Sequence, residues 1–246
     1  MDRNKSEIAV IVDRSGSMNG KQDEVVGGFN RFLKEQQESG VGSCRLTYCQ
    51  FDDVYEIVHD GVDIHAVPPL NRGTYVPRGM TALLDAVGRT ILRLGARLVA
   101  MEEAERPAAV IVVIITDGLE NASKEFSAHR IAEMVKEQTE VYSWNFVFLG
   151  QGLEAFTQTR SMGLDPRAPA VYAAQAVASP GGVLHAYSAA SLAVSSTRSK
   201  GARGVSRTCG WSPEDKEVIT SALLGEDQPS GVLPSDSPAT GSGEKS

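Results

Sequence analysis

Five oxygen-bearing side chains, set in three polar clusters, are the residues of this sequence best suited to chemistry. Asp13, Ser15 and Ser17 alternate along one loop directly after an apolar run, which lets them point toward a common side. Thr81 stands at the start of a long helical pattern, and Asp117 follows the most apolar run of the chain. Carboxylate and hydroxyl oxygens suit a hard divalent cation. We predict Mg²⁺, with Mn²⁺ as the obvious substitute.

The charge of this donor set predicts a further ligand. The neutral hydroxyls leave the ion electron-poor, with at least one open coordination position. Such a position attracts an anionic oxygen, typically a carboxylate from another molecule. We therefore expect a protein partner that supplies an Asp or Glu.

The elements that must position these residues follow from the hydrophobic pattern. Unbroken β-branched runs at residues 8–12, 108–115 and 144–149 are typical of parallel strands covered on both faces. Helical spacing predicts helices over residues 22–38, 81–101, 124–138 and 182–198. Residues 45–51 and 54–59 read as a hairpin that adds one antiparallel edge strand, and a weaker strand is expected at 170–174. The prediction is a doubly wound, mostly parallel α/β sheet with helices on both faces.

This fold class explains how distant residues would meet. Ligands of open α/β sheets bind at the carboxyl ends of the strands, near the point where the strand order reverses. The loop after residue 12 and the loop after residue 116 both follow apolar strands, so both are expected at that edge.

The residues and their settings resemble the metal-ion-dependent adhesion site of von Willebrand factor A domains. The matching stretches are Val-Asp-Arg-Ser-Gly-Ser-Met around Ser15, Arg-Gly-Met-Thr-Ala-Leu around Thr81, and Thr-Asp-Gly around Asp117. The resemblance covers residues 7 to 198 and is closest to stand-alone bacterial or phage-type members. It implies that the hydroxyls of Ser15, Ser17 and Thr81 bind the metal, that Asp13 and Asp117 act largely through water, and that a partner's Glu or Asp completes the shell.

Other interpretations of single residues remain open at this point. Thr81 alone could be a helix N-cap, and Asp117 a turn residue before Gly118. On the long helix, Asp85 and three arginines four residues apart favour a solvated face over a phosphate-binding one. The loop of residues 68–79 is either a plain surface connection or a rim that contacts a partner.

A nucleotide site is the main rival, because residues 16–22 follow a strand and open a helix. A phosphate-binding loop needs four residues between its glycines and a Ser or Thr after the Lys. Here three residues separate Gly16 from Gly20, and Gln22 follows Lys21. Lys21 is therefore predicted to be a solvated residue of the first helical turn. No Gly-x-Ser-x-Gly elbow occurs and the histidines show no pairing, so we do not expect an enzyme.

Composition limits the broader setting. The net charge of −7 argues against a general nucleic-acid binder. No apolar run approaches the roughly 18 to 20 residues that span a bilayer. The polar start shows no secretory signal, and Cys44, Cys49 and Cys209 are sparse enough to be reduced, which favours the cytoplasm. We expect a domain over residues 1–199, a basic connector with a short helix over 200–224, and a disordered tail over 225–246.

The sequence therefore predicts a divalent-cation-dependent protein-interaction module. The alternatives are an accessory subunit of an ATP-driven chelatase or remodelling machine, and an RNA-associated member of the same fold that uses the basic residues from Arg198 to Arg207. The sequence does not identify the partner or the oligomeric state.

Overall fold

The computed structural model describes residues 1–151, 159–164, 171–176, 181–204 and 211–224. Within these ranges one six-stranded sheet has the order β3-β2-β1-β4-β5-β6. Its strands are β1 (Asp2–Asp13), β2 (Ser43–Phe51), β3 (Tyr55–Asp63), β4 (Pro107–Thr116), β5 (Asn145–Gln151) and β6 (Val171–Ala176). Every neighbouring pair is parallel except β2 and β3. The predicted fold class, with its antiparallel edge strand, is confirmed.

Helices cover both faces of this sheet. They are α1 (Gln22–Glu38), α2 (Leu83–Val99), α3 (Ala128–Glu140), α4 (Gly182–Arg203) and α5 (Pro213–Leu224). Alternate residues of β1 enter two core layers, as the two-residue period of a strand requires. Val10 packs in the layer under α1 and α4, whereas Ile11 packs in the layer under α2 and α3. Cys44 and Cys49 also lie in opposite layers, and both are free thiols.

The strand order places the candidate site at a switch point. From β1 the chain turns to β2 and β3 on one side, and it then crosses to β4 on the other side of β1. The connections that follow β1 and β4 therefore run to opposite sides of the sheet. The crevice between them, at the carboxyl ends of these strands, is where folds of this class bind ligands. The strands are in register, with Val12 opposite Ile115, so Asp13 and Thr116 end neighbouring strands at the same level.

The third helix begins later than the sequence pattern predicts. Residues 124–126 are not helical, because their amides donate hydrogen bonds of 2.9, 2.9 and 3.0 Å to the carboxylate of Asp85 on α2. The helix begins at Ala128, where the Ser127 hydroxyl accepts a hydrogen bond from the Arg130 amide. The prediction of a start near residue 124 was wrong because the tertiary contact with Asp85 holds the preceding segment.

The charged residues of α2 that are four positions apart do not all lie on a solvated face. This charged stripe consists of Asp85, Arg89, Arg93 and Arg97. Asp85 is buried beneath residues 124–126, and Arg97 contacts the buried carboxylate of Glu7. Arg89 and Arg93 are partly exposed and pair with acidic residues of neighbouring segments. The stripe packs against the edge of the sheet and the segment before α3, which explains why its two ends are covered.

The carboxyl-terminal helices pack on the domain. Helix α4 continues five residues beyond the expected end near Arg198 and stops at Gly204, whose φ of +67° suits glycine. Helix α5 starts with a reciprocal cap, in which the Ser212 and Asp215 side chains accept hydrogen bonds from each other's amides. The predicted tail of residues 225–246, Cys209 and Arg207 lie outside the described residues. None of the described helices has both the length and the apolar character of a membrane span.

Candidate metal centre

Backbone hydrogen bonds tie three loops together at the carboxyl ends of β1 and β4. The Gly16 amide donates to the Gly79 carbonyl at 3.1 Å, and the Arg78 amide donates to the Arg14 carbonyl at 2.7 Å. The Asn121 amide donates to the Thr81 carbonyl at 3.0 Å. The loop after β1, the loop before α2 and the loop after β4 are therefore held side by side, and each carries predicted site residues.

Asp13 is a fully buried carboxylate at the end of β1. Its Oδ1 accepts a hydrogen bond from the Ser15 amide at 2.6 Å, and its Oδ2 accepts one from the Thr116 hydroxyl at 2.6 Å. Burial raises the pKa of Asp13, the nearby Asp117 raises it further, and the bonds from Thr116 and Ser15 oppose the rise. A buried carboxylate of this kind favours a neighbouring positive charge.

A chain of short contacts joins the remaining donors after β1 and β4. The Ser15 and Ser17 hydroxyl oxygens lie 2.9 Å apart, and the Ser17 hydroxyl donates to Oδ1 of Asp117 at 2.5 Å. Oδ2 of Asp117 pairs with Nζ of Lys21 at 2.5 Å. Lys21 is therefore not the solvated residue that the sequence predicts. It precedes α1 at the N-cap position, and its ammonium group reaches the candidate site.

Thr81 belongs to the loop before α2 and not to the helix cap. The N-cap residue of α2 is Ala82, and the first-turn amides of Leu84 and Asp85 donate instead to Glu120 and Ser123 in the loop after β4. The Thr81 backbone is fixed instead by the loop after β4, since its amide donates to Oδ1 of Asn121 at 2.9 Å and its carbonyl accepts from Asn121 and Ala122. The Thr81 hydroxyl is thus available for a role other than capping.

Gly118 marks the point where the donor oxygens converge. A Cβ atom placed on Gly118 would lie 2.7 Å from Oγ1 of Thr81, 3.0 Å from Oδ2 of Asp13 and 3.3 Å from Oγ of Ser15. Three oxygens from two separate loops therefore face one small space that only a glycine leaves open. The structure brings together all five predicted residues: three lie around this space, Ser17 contacts Ser15, and Asp117 contacts Ser17.

The donor set fits a hard divalent cation. Across the described ranges, no three His, Cys, Asp or Glu side chains cluster in a way that could hold a metal. Any metal held here must therefore use hydroxyl oxygens beside the carboxylates, which is the oxygen-only chemistry of Mg²⁺ and Mn²⁺. The small space before Gly118, bounded by hydroxyl and carboxylate oxygens, meets that requirement.

The loop of residues 68–79 is anchored to the site. The buried Tyr75 hydroxyl donates to the Asp13 carbonyl at 2.6 Å, and burial raises the pKa of Tyr75, which keeps the phenol protonated as a donor. Arg14 and Arg78 both reach the buried carboxylate of Asp52, at 3.1 and 2.7 Å. This segment is therefore part of the wall around the site and not a detached surface connection.

Three residues of the site were not predicted from the sequence. Thr116 holds the Asp13 carboxylate, Gly118 leaves the central space open, and Lys21 pairs with Asp117. Thr116 and Gly118 flank Asp117, so their presence in the same polar cluster could have identified them. No local pattern indicates the Lys21 contact, because it joins residues 96 positions apart.

Comparisons with known proteins identify similar folds. No protein-family model matches the chain, and no curated protein sequence matches it. The D319A mutant of the PilB minor pilin from Streptococcus sanguinis is similar with a TM-score of 0.51 and 12% identity, over 80% of this chain and 62% of that one. The manganese-loaded TRAP protein from Plasmodium vivax has a TM-score of 0.48 and 18% identity, over 71% and 70%. The von Willebrand factor type A protein from Catenulispora acidiphila has a TM-score of 0.47 and 10% identity, over 80% and 42%.

At these identities the likeness concerns the fold alone. The chain spans less than two thirds of the PilB and Catenulispora chains, so it corresponds to a part of each. The doubly wound sheet with one antiparallel edge strand is the architecture that the resemblance to von Willebrand factor A domains implies.

Proposed function

We propose that this chain is a protein-interaction module that binds an acidic side chain of its partner through a divalent cation, with Mg²⁺ as the physiological ion. Asp13, Ser15, Ser17, Thr81 and Asp117 would hold the cation. A bound dication would supply an electron-poor position that attracts a carboxylate. The chain's own residues fix the donor oxygens, and the role we propose is binding, not catalysis.

One observation carries this proposal. Oxygens of Asp13, Ser15 and Thr81 face a single space in front of Gly118, although Asp13 and Thr81 lie on different loops. Asp13 is buried and Asp117 nearly so, Asp117 raises the pKa of Asp13, and Lys21 supplies one positive charge at Asp117, so a dication among the donor oxygens would favour the ionised form of both carboxylates. A chance cluster of turn residues would not direct its side chains inward to one point.

Two of the basic residues proposed for RNA binding, Arg198 and Lys200, are used within the protein. Arg198 is buried and donates hydrogen bonds to Ser6, to the Val41 carbonyl and to Gln36. Lys200 pairs with Asp215 of α5. The overall charge of −7 also disfavours a nucleic-acid partner. These contacts make the protein-interaction role the better supported one.

Substitution of Gly118 by Ala tests the cation site directly. The new methyl group would fill the space before Asp13 and Thr81, so we expect at least a tenfold loss of Mg²⁺ and Mn²⁺ affinity in isothermal titration calorimetry. Gly118→Ala must also keep the circular dichroism spectrum of the wild type. Gly95→Ala on α2 is the matched control, since a methyl group there meets no atom within 4 Å. Equal affinity for the wild type and Gly118→Ala would overturn the proposal.

Removal of a single metal-binding side chain provides a second test of the cation site. Thr81→Ala removes one hydroxyl without removing a helix cap, and Asp13→Ala removes a carboxylate. We expect weaker cation binding in both variants. Asp23→Ala is the control, because Asp23 is an exposed carboxylate on α1 that pairs only with the exposed Arg72 among the described contacts.

A further inference from the structure

Large exposed apolar side chains in the described ranges gather at two opposite ends of the sheet. Near its carboxyl edge, where the candidate metal centre lies, they are Val54, Val76, Met80, Leu119 and, in the first turn of α4, Leu184. At the opposite edge they are Met1, Leu92, Val99, Val141 and Tyr142. Exposed apolar groups grouped around a polar site commonly mark a binding surface. The exposed apolar residues near the carboxyl edge are therefore candidates for a binding surface beside the metal centre.

Met80 and Leu119 flank the converging oxygens. Met80 stands between Gly79, which accepts the hydrogen bond from Gly16, and the site residue Thr81. Leu119 directly follows Gly118, the residue that faces the donor oxygens. Both side chains are about half exposed, at 56% for Met80 and 46% for Leu119. The loops that carry them are joined by the bond between Asn121 and Thr81, so Met80 and Leu119 are exposed on adjacent loops, each one position from a residue of the site.

The backbone around these two residues is held firmly, which favours a preformed surface. The Glu120 carboxylate accepts hydrogen bonds from the amides of Leu84, Ala122 and Ser123. Gly79 adopts a φ of +66° beside Asp52 and Asp53. A rigid loop loses little conformational entropy when a partner binds. Nearby, Arg78 is more than half exposed and pairs with the buried carboxylate of Asp52, which holds this loop at the same edge.

We propose that Met80 and Leu119 form an apolar rim that receives a large aliphatic or aromatic side chain next to the partner's acidic residue. The preferred partner is thus a peptide segment in which an Asp or Glu is followed or preceded within two positions by Leu, Ile, Met or Phe. This inference rests on the proposed function, because the acid is what would direct the segment to the rim. Burial of the apolar side chain against the rim would then add affinity and select among acidic segments.

Selection from a pool of random peptides tests this pairing of an acid with an apolar neighbour. A random peptide library displayed on phage is panned on the immobilised full chain in Mg²⁺, and bound phage are released with EDTA. We expect the released peptides to be enriched in an acid with a large apolar neighbour. Acidic peptides with only polar neighbours would overturn the rim and leave the cation site standing. A selection in which EDTA releases no acidic peptide would contradict the proposed function itself, and the rim with it.

Variants then place the selected side chain on the rim. Met80→Ser with Leu119→Ser should weaken binding of the best selected peptide at least tenfold and leave Mg²⁺ affinity in calorimetry unchanged. Val99→Ser with Val141→Ser is the matched control, since these valines are at least as exposed and lie at the opposite edge. Equal loss in both double variants, or no loss in the first, would overturn the rim. A changed Mg²⁺ affinity in the first would show instead that these residues support the cation site.

Discussion

Lys21 determines how much negative charge the candidate metal centre presents. Its ammonium group lies 2.5 Å from Asp117, whose side chain is only 5% exposed. The site thus holds two carboxylates and one ammonium group in close proximity. The lysine neutralises part of the charge that would attract a cation, and it leaves a bound cation more electron-poor toward a partner's acid. Under the proposed function, its position would link cation affinity to partner affinity in opposite directions.

We predict that Lys21→Gln binds Mg²⁺ more tightly than the wild type, by about threefold to tenfold at low salt, because a positive charge near the cation is removed. Calorimetry at two ionic strengths measures the effect, which should shrink as salt increases. Lys34→Gln is the control, since Lys34 is an exposed lysine of α1, the helix that follows Lys21. Unchanged or weaker Mg²⁺ binding by Lys21→Gln would show that the lysine mainly orients Asp117.

The sequence predicted the five residues that the structure brings together, but not the residues that hold them in place. These residues could be predicted because Asp13, Ser15 and Ser17 alternate within one short loop, and because ligands commonly bind at the carboxyl ends of parallel strands. The contacts of Thr116 with Asp13 and of Lys21 with Asp117 join distant segments. Their existence depends on how three loops pack, which no spacing rule encodes.

At the level of elements, a buried polar contact holds helix α4 against α1 and the sheet. The Arg198 guanidinium donates to the hydroxyl of Ser6 at 3.1 Å and to the carbonyl and side-chain oxygens of Gln36 at 2.9 and 3.0 Å. Its Nη2 donates to the Val41 carbonyl at 2.8 Å. Burial lowers the pKa of Arg198. The amide of Gln36 in turn donates to Ser191 on α4, so one arginine and one glutamine connect the two helices.

We predict that Arg198→Met lowers the free energy of unfolding by about 2 kcal/mol, because several buried acceptors lose their donor. Urea denaturation followed by circular dichroism measures this change. Arg31→Met on α1 should change the stability by less than about 0.5 kcal/mol, since Arg31 is exposed and pairs only with an exposed glutamate in the described contacts. An equal effect of both substitutions would contradict the anchoring role of Arg198.

The elements themselves were largely predictable because their patterns are local and strong. The observed α1 and the hairpin agree closely with the expected ranges, and the weak strand near residue 170 is β6. The start of α3 was not predictable, because Asp85 of another helix holds the residues before it. The burial of Asp85 and Arg97 was missed for the same reason, since a helical stripe does not reveal which segment will cover it.

At the scale of the whole molecule, one ionic network joins the sheet to α2 across its edge. Arg97 of α2 contacts Glu7 of β1 and also pairs with Asp60 of β3 at 2.5 Å. Burial raises the pKa of Glu7 to about 7, although the interaction with Arg97 opposes the rise. The folded protein therefore holds a proton on Glu7 more tightly than the unfolded chain does.

This difference predicts a pH dependence of stability. Between the ordinary pKa of 4.5 and about 7, the native state retains a proton that the unfolded state has lost, so the free energy of unfolding falls as the pH rises through this window. We expect Glu7 to contribute a fall of about 1 to 3 kcal/mol, measured by urea denaturation between pH 4.5 and 7.5. Glu7→Gln should flatten that slope, whereas Glu38→Gln on the surface should not. An identical slope for Glu7→Gln and the wild type would contradict this.

The union of three loops at the ends of β1 and β4 has a consequence for folding. Asp13, Thr81 and Asp117 are separated by whole strand-and-helix units, and the unfolded chain cannot bring them together. A dication held among them would act as a removable cross-link between the halves of the sheet. Each tenfold rise of free cation above its dissociation constant would add about 1.4 kcal/mol to the unfolding free energy. The free magnesium concentration would then control the equilibrium stability of the folded chain as well as the fraction of chains able to bind a partner.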